Sequence, residues 1–92
     1  MDDIVVRLEI RGVVQGIGYR WAMVEQARRL GVRGWVRNRR DGSVEATVSG
    51  APEAVDRIVA WAKKGPPGSI VEKVDVFAAA GAFDRFDALA TE

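Results

Sequence analysis

The chain has 92 residues, 48% of them apolar and 29% charged, with a net charge of +1. That is ordinary globular composition for one domain, 1–92, which would bury roughly 60–65% of its unfolded surface. Cysteine and histidine are both absent, which excludes disulfides, thiolate chemistry and Ser-His or Cys-His nucleophiles, and removes the commonest metal ligand and general base.

The near-neutral charge argues against strong non-specific binding to nucleic acid. The apolar runs are too short to span a bilayer. The opening Met1-Asp2-Asp3 has no leader pattern. A cytoplasmic protein with no membrane partner is the expectation.

Ile4, Val6, Leu8 and Ile10 alternate with Val5, Arg7, Glu9 and Arg11, the period of two of a half-buried strand. A turn containing Gly12, Gly16 and Gly18 follows. Tyr19, Ala22, Met23, Ala27 and Leu30 then fall at helical spacing, and Gly31 is a good C-terminal stop. Residues 32–37 read as a second strand and 43–49 as a third, with Asp41-Gly42 as the hairpin signal between them. In the third strand Val44, Ala46 and Val48 face one way; Ser43, Glu45, Thr47 and Ser49 face the other.

Pro52 suits a helix start. Val55, Ile58, Val59 and Ala62 make the buried stripe of a second helix, which ends near Lys64-Gly65. After the Pro66-Pro67-Gly68 turn, residues 70–77 hold a fourth strand with Val74 and Val76 inward. Residues 83–89 are compatible with a short final edge strand. The order β-α-β-β-α-β, with a possible fifth strand, predicts an α+β sandwich of the ferredoxin-like kind: an antiparallel sheet with two helices on one face.

One stretch carries chemistry. Residues 10–24 contain two arginines and no carboxylate. Arg20 sits in the first turn of the predicted helix, where the helix dipole disfavours a cation and free N–H groups favour an anion. Glycines let successive N–H groups converge into an anion-binding nest. An arginine set against the dipole makes sense when an anion lies between them, and a phosphoryl group suits the guanidinium fork.

The run Gly12-Val13-Val14-Gln15-Gly16-Ile17-Gly18-Tyr19-Arg20 closely resembles the first signature of the acylphosphatase family. The second signature resembles Gly34-Trp35-Val36-Arg37-Asn38, followed by Gly42-Ser43-Val44 and then Gly50. The stretch Lys64-Gly65-Pro66-Pro67-Gly68-Ser69 is similar to the family's segment before its fourth strand. The resemblance spans residues 4–77. It implies hydrolysis of an acyl phosphate to a carboxylate and inorganic phosphate. No histidine, no cysteine and no carboxylate between Ile10 and Val24 leave no evident metal cage, so no metal or other cofactor is expected, and a monomer is the expectation.

By the same resemblance the loop of Val14, Gln15, Gly16, Ile17, Gly18 and Tyr19 would wrap the substrate phosphate with backbone N–H groups. Arg20 would hold that phosphate, and Asn38 would orient the attacking water. Gln15, Gly16 and Gly18 would shape the loop. Inorganic phosphate or sulfate would compete for it. Position 13, often polar in relatives, is Val13 here. Some relatives use a terminal strand to brace the arginine. This chain ends Phe86-Asp87-Ala88-Leu89-Ala90-Thr91-Glu92, a departure that leaves the brace open.

The residues agree with that chemistry on their own terms. Asn38 shares strand parity with Gly34 and Val36, so it faces the helices if they do. An amide is no general base at neutral pH, but it can position a water. That suffices when the leaving group is good, and a carboxylate, with a pKa of about 4, leaves without a general acid. Without the signatures Asn38 reads as a turn residue. Arg39 and Arg40 read as a solvated hairpin end, Trp35 and Trp61 as packing residues, and Tyr19 as core. Trp21 lies off the apolar stripe, partly exposed near the loop.

Three other functions are compatible with this element order. One is a non-catalytic anion-binding or regulatory module of the same fold. An RNA-binding domain of the same element order would place aromatics on the exposed face of the first strand; Val5, Arg7, Glu9 and Arg11 stand there instead. A carbamoyl-transferring protein would carry such a domain within a longer chain.

Overall fold

A computed structural model describes residues 2–92. In chain order it contains β1 (Ile4–Val13), α1 (Tyr19–Leu30), β2 (Arg33–Asn38), β3 (Val44–Gly50), α2 (Pro52–Lys64), β4 (Ile70–Ala78) and β5 (Phe86–Ala88). The sheet order is β4-β1-β3-β2-β5. The helices lie on one face, over a core that includes Leu8, Ile10, Met23, Val36, Val44, Val48 and Ile58.

The helix limits follow local signals. Gly18 precedes α1 and Gly31 follows it, both in the left-handed conformation that glycine adopts without a Cβ penalty. Pro52 opens α2, where a missing N–H costs nothing, and Gly65 closes it. Among the described residues no helix is long and apolar enough to cross a membrane.

The four longer strands pair antiparallel as expected, and the short fifth strand adds one parallel pair. β1 pairs antiparallel with β3 and β4, and β2 antiparallel with β3, but β5 pairs parallel with β2, setting Gly34 opposite Phe86 and Val36 opposite Ala88. The sheet is mixed. The reason is the path of the chain. β4 forms one edge, and the 79–85 segment carries the backbone to the other edge, where it returns in the direction of β2. β1, β2 and β5 therefore end at the same rim of the sheet, and that rim carries the candidate site.

Other differences concern burial. Val76 pairs with Leu8, yet it lies 48% exposed, because β4 has no strand outside it. Val24 is buried although it lies off the stripe read from the sequence. β3 is buried on both faces. Ser43, Glu45, Thr47 and Ser49 point away from the helices but are shielded by longer side chains on the flanking strands. Among these, Arg7 lies over the Phe77 ring at 4.6 Å and Arg37 over Trp35 at 4.8 Å.

Candidate active site

Two buried side chains pin the loop between β1 and α1. Val14 at its start and Tyr19 at its end are each 1% exposed. The Tyr19 hydroxyl donates to the Ala62 carbonyl oxygen at 2.8 Å, and its ring lies against Trp61 with centroids 5.4 Å apart. Burial pushes the Tyr19 phenol well above its ordinary range, so it stays neutral.

Between these anchors Gly16 (φ 78°) and Gly18 (φ 79°) both adopt the left-handed conformation. A Cβ at either position would meet nothing within 4 Å. The need for glycine there is conformational, since L side chains disfavour that backbone region. The same turns are the kind that gather N–H groups into a nest.

α1 then begins with no side-chain cap and no acidic residue in its first turn. Its first N–H groups therefore have no side-chain acceptor from a cap. Arg20 stands in that turn, and its Nη1 donates to the backbone carbonyl oxygen of Leu89 at 2.9 Å. The divergent C-terminal segment thus does brace the arginine. The acceptor is a main-chain oxygen, so the brace does not depend on which side chain stands at position 89.

Asn38 ends β2 and follows Val36 and Gly34 on the helix-facing side, where Val36 is fully buried. Its carbonyl accepts from the Glu92 N–H at 3.0 Å, and the Arg40 N–H donates to the Glu92 carbonyl at 3.3 Å. Leu89 N–H donates to the Val36 carbonyl at 2.8 Å. The segment after β5 is therefore clipped to the β2 end at several points and touches Arg20 besides.

Gln15 joins the loop to the β2–β3 hairpin. Its Nε2 donates to the carbonyls of Arg39 at 2.7 Å and Ser43 at 2.8 Å. The hairpin is set by Asp41, whose Oδ1 accepts from the Ser43 hydroxyl at 2.6 Å and the Ser43 N–H at 2.9 Å. Those bonds hold the Asp41 carboxyl below the usual carboxylate range.

Val14, Gly16, Gly18, Tyr19, Arg20, Trp21 and Asn38 line one cavity of about 120 Å³. Of the loop residues singled out from the sequence, Gln15 and Ile17 do not line it. Gln15 is spent on the hairpin, and Ile17 packs half-buried against the core. The Asn38 Oδ1 is buried and has no hydrogen-bond partner. A wider groove of about 660 Å³ runs beside Trp61 and the 65–69 turn, lined by Lys64 and by the carboxylate of Glu25. The small cavity combines an arginine with no carboxylate.

The neighbouring arginines are occupied elsewhere. On the opposite face Glu45 accepts from Arg37 Nε at 2.9 Å, Arg39 Nη1 at 2.8 Å and Arg7 Nη1 at 3.3 Å. Burial alone would push the Glu45 carboxyl up; the bonds and charges of Arg39 and Arg37 outweigh it and hold the group below its ordinary value. Among the described residues no group of three or more acidic side chains is placed to hold a metal ion.

The residue that sequence reasoning missed is Leu89. It contributes a carbonyl, which every residue has, so no side-chain pattern could have marked it.

The family model for acylphosphatase matches residues 6–88. The chain is 51% identical over 86 residues to the acylphosphatase of Albidiferax ferrireducens, covering 94% of each chain. A solved acylphosphatase from Bacillus subtilis superposes with a TM-score of 0.89 at 32% identity, over 94% of this chain and 98% of that one. A solved acylphosphatase from Coxiella burnetii does so with a TM-score of 0.92 at 25% identity, over 96% and 94%. A match from the first strand to the last, in sequence and in backbone alike, leaves no part of the architecture unaccounted for: this chain belongs to the acylphosphatase family, and with it to the hydrolases of acyl phosphates.

Proposed function

We propose that the 14–19 loop and Arg20 hold the phosphoryl group of an acyl phosphate while Asn38 aims a water at its phosphorus. The observation that carries this reading is Asn38, which lines the same cavity as Arg20 and whose Oδ1 is buried without a partner. An unpaired buried acceptor costs about 1–3 kcal/mol. A small rotation of the amide toward the cavity would let a water satisfy it beside the phosphate.

The anion would meet the N–H groups of the glycine turns, the open end of α1 and the Arg20 guanidinium. Among the described residues the Arg20 side chain donates one protein hydrogen bond, to Leu89. Its other donors are left for phosphate oxygens. The fixed guanidinium matches two of them side by side.

The reaction follows from these parts. The water oxygen bonds to phosphorus, and the bond from phosphorus to the acyl oxygen breaks. The carboxylate leaves with the electron pair, and the water's proton passes to a phosphate oxygen. No lining residue offers a general base, and none is needed with so good a leaving group. The protein supplies position and electrostatic stabilisation.

The test is steady-state hydrolysis of benzoyl phosphate with and without inorganic phosphate. Turnover with competitive inhibition by phosphate supports the reading. Phosphate binding without turnover would instead support a non-catalytic anion-binding module.

A further inference from the structure

We propose that the exposed indole of Trp21 is the seat of the substrate's acyl group and makes the enzyme prefer aromatic acyl phosphates. The inference rests on the phosphate-cradle reading above and extends it to the half of the substrate that the cradle does not hold.

The cavity is too small for the whole substrate. At about 120 Å³ it equals the liquid volume of roughly four waters. A phosphoryl group and the attacking water fill that space, so the acyl group must project past the rim. Among the lining residues Val14 and Tyr19 are buried, Arg20 and Asn38 are half-buried, and Gly16, Gly18 and Trp21 are exposed. Glycines offer no side chain. Trp21 is the one exposed side chain at the mouth.

Its exposure is unusual for its type. Trp35 and Trp61 are half-buried, each against a partner: Arg37 over Trp35, Tyr19 beside Trp61. Trp21 is 71% exposed and next in sequence to Arg20. Its position on the first turn of α1 sets the ring beside the bound phosphoryl group. No carboxylate or lysine lines the cavity, and its arginine is engaged by the phosphoryl group, so no further charge is left to hold a charged acyl chain. A flat apolar ring stacks on an indole, worth about 0.5–1.5 kcal/mol beyond simple area burial.

The experiment compares kcat/KM for benzoyl phosphate with that for acetyl phosphate, in the wild type and in Trp21→Ala and Trp21→Phe. In Trp21→Ala the benzoyl-to-acetyl ratio should fall by roughly 2- to 10-fold, chiefly through the KM for benzoyl phosphate. Trp21→Phe should restore most of it. A thermal melt of each variant checks that the fold is intact, as expected for so exposed a side chain. An unchanged ratio in Trp21→Ala, with both substrates still turned over, overturns the assignment of Trp21 and leaves the phosphate cradle standing. Hydrolysis of neither substrate by the wild type overturns both.

Discussion

Arg20 Nη1 lies 2.9 Å from the carbonyl oxygen of Leu89, joining the first turn of α1 to the chain just after β5. The two residues are 69 positions apart. Their contact exists because β5 runs parallel to β2 and so delivers the chain's last residues to the rim where the glycine loop turns. Because the acceptor is backbone, its position depends on the pairing of Leu89 N–H with Val36 and of Glu92 with Asn38 and Arg40.

This arrangement predicts a contrast between losing a side chain and losing the segment. Leu89→Ala keeps the carbonyl and should retain near-normal phosphate affinity. Removing residues 89–92 takes away the brace and the clips on Asn38 and Arg40, and should lower kcat by about tenfold or more, since small misplacements in a preorganised site are costly. Phase-resolved kinetics on both variants, with melts to confirm folding, check this. Equal activity of the two would show that the brace is idle.

Arg20 and Asn38 should fail in different ways. Arg20→Ala should lose rate and phosphate affinity together, and Arg20→Lys should recover little, because an ammonium cannot reproduce the planar fork. Asn38→Ala should reduce kcat by about 10²–10³ while phosphate still protects the protein against unfolding. That pattern marks an interaction made chiefly in the transition state. If Asn38→Ala loses phosphate affinity as badly as Arg20→Ala, the amide is a phosphate ligand and does not place the water.

Activity should be indifferent to a chelator. The cavity is lined by one arginine, one amide and no carboxylate, a poor donor set for Mg²⁺ or Ca²⁺, which want several anionic oxygens. Turnover measured in excess EDTA should match the control. Loss of activity restored by a divalent ion would require a metal in the mechanism.

Stability should fall in acid through Glu45. Its folded carboxyl is held below the ordinary value by Arg39 and Arg37. A depressed folded pKa contributes stability that is present above the unfolded value, about 4.3, and is lost as pH falls through the folded one. Glu45→Gln should therefore cost about 1–2 kcal/mol at neutral pH, discounted because its arginine partners are partly exposed. It should also flatten the pH dependence of chemical denaturation below about pH 4. A variant as stable as the wild type at pH 7 would rule the network out as a stabilising feature.

What the sequence by itself determined is local. The 3.6-residue period between Gly18 and Gly31, and from Pro52 to Gly65, marks both helices, because glycine and proline act on their own backbone. Strand parity put Asn38 on the side of Val36, and the spacing of the glycines put an acid-free turn directly before Arg20. Each of these is a property of neighbours along the chain.

Tertiary structure alone decided the rest. The parallel entry of β5, the exposure of Val76 at an edge and the shielding of Glu45 all depend on which strands become neighbours, and the alternation within one strand does not report that. The brace on Arg20 is the clearest case. It is made by a carbonyl group that every residue possesses, so no choice of side chain encodes it, and only the path of β5 brings it within hydrogen-bonding distance.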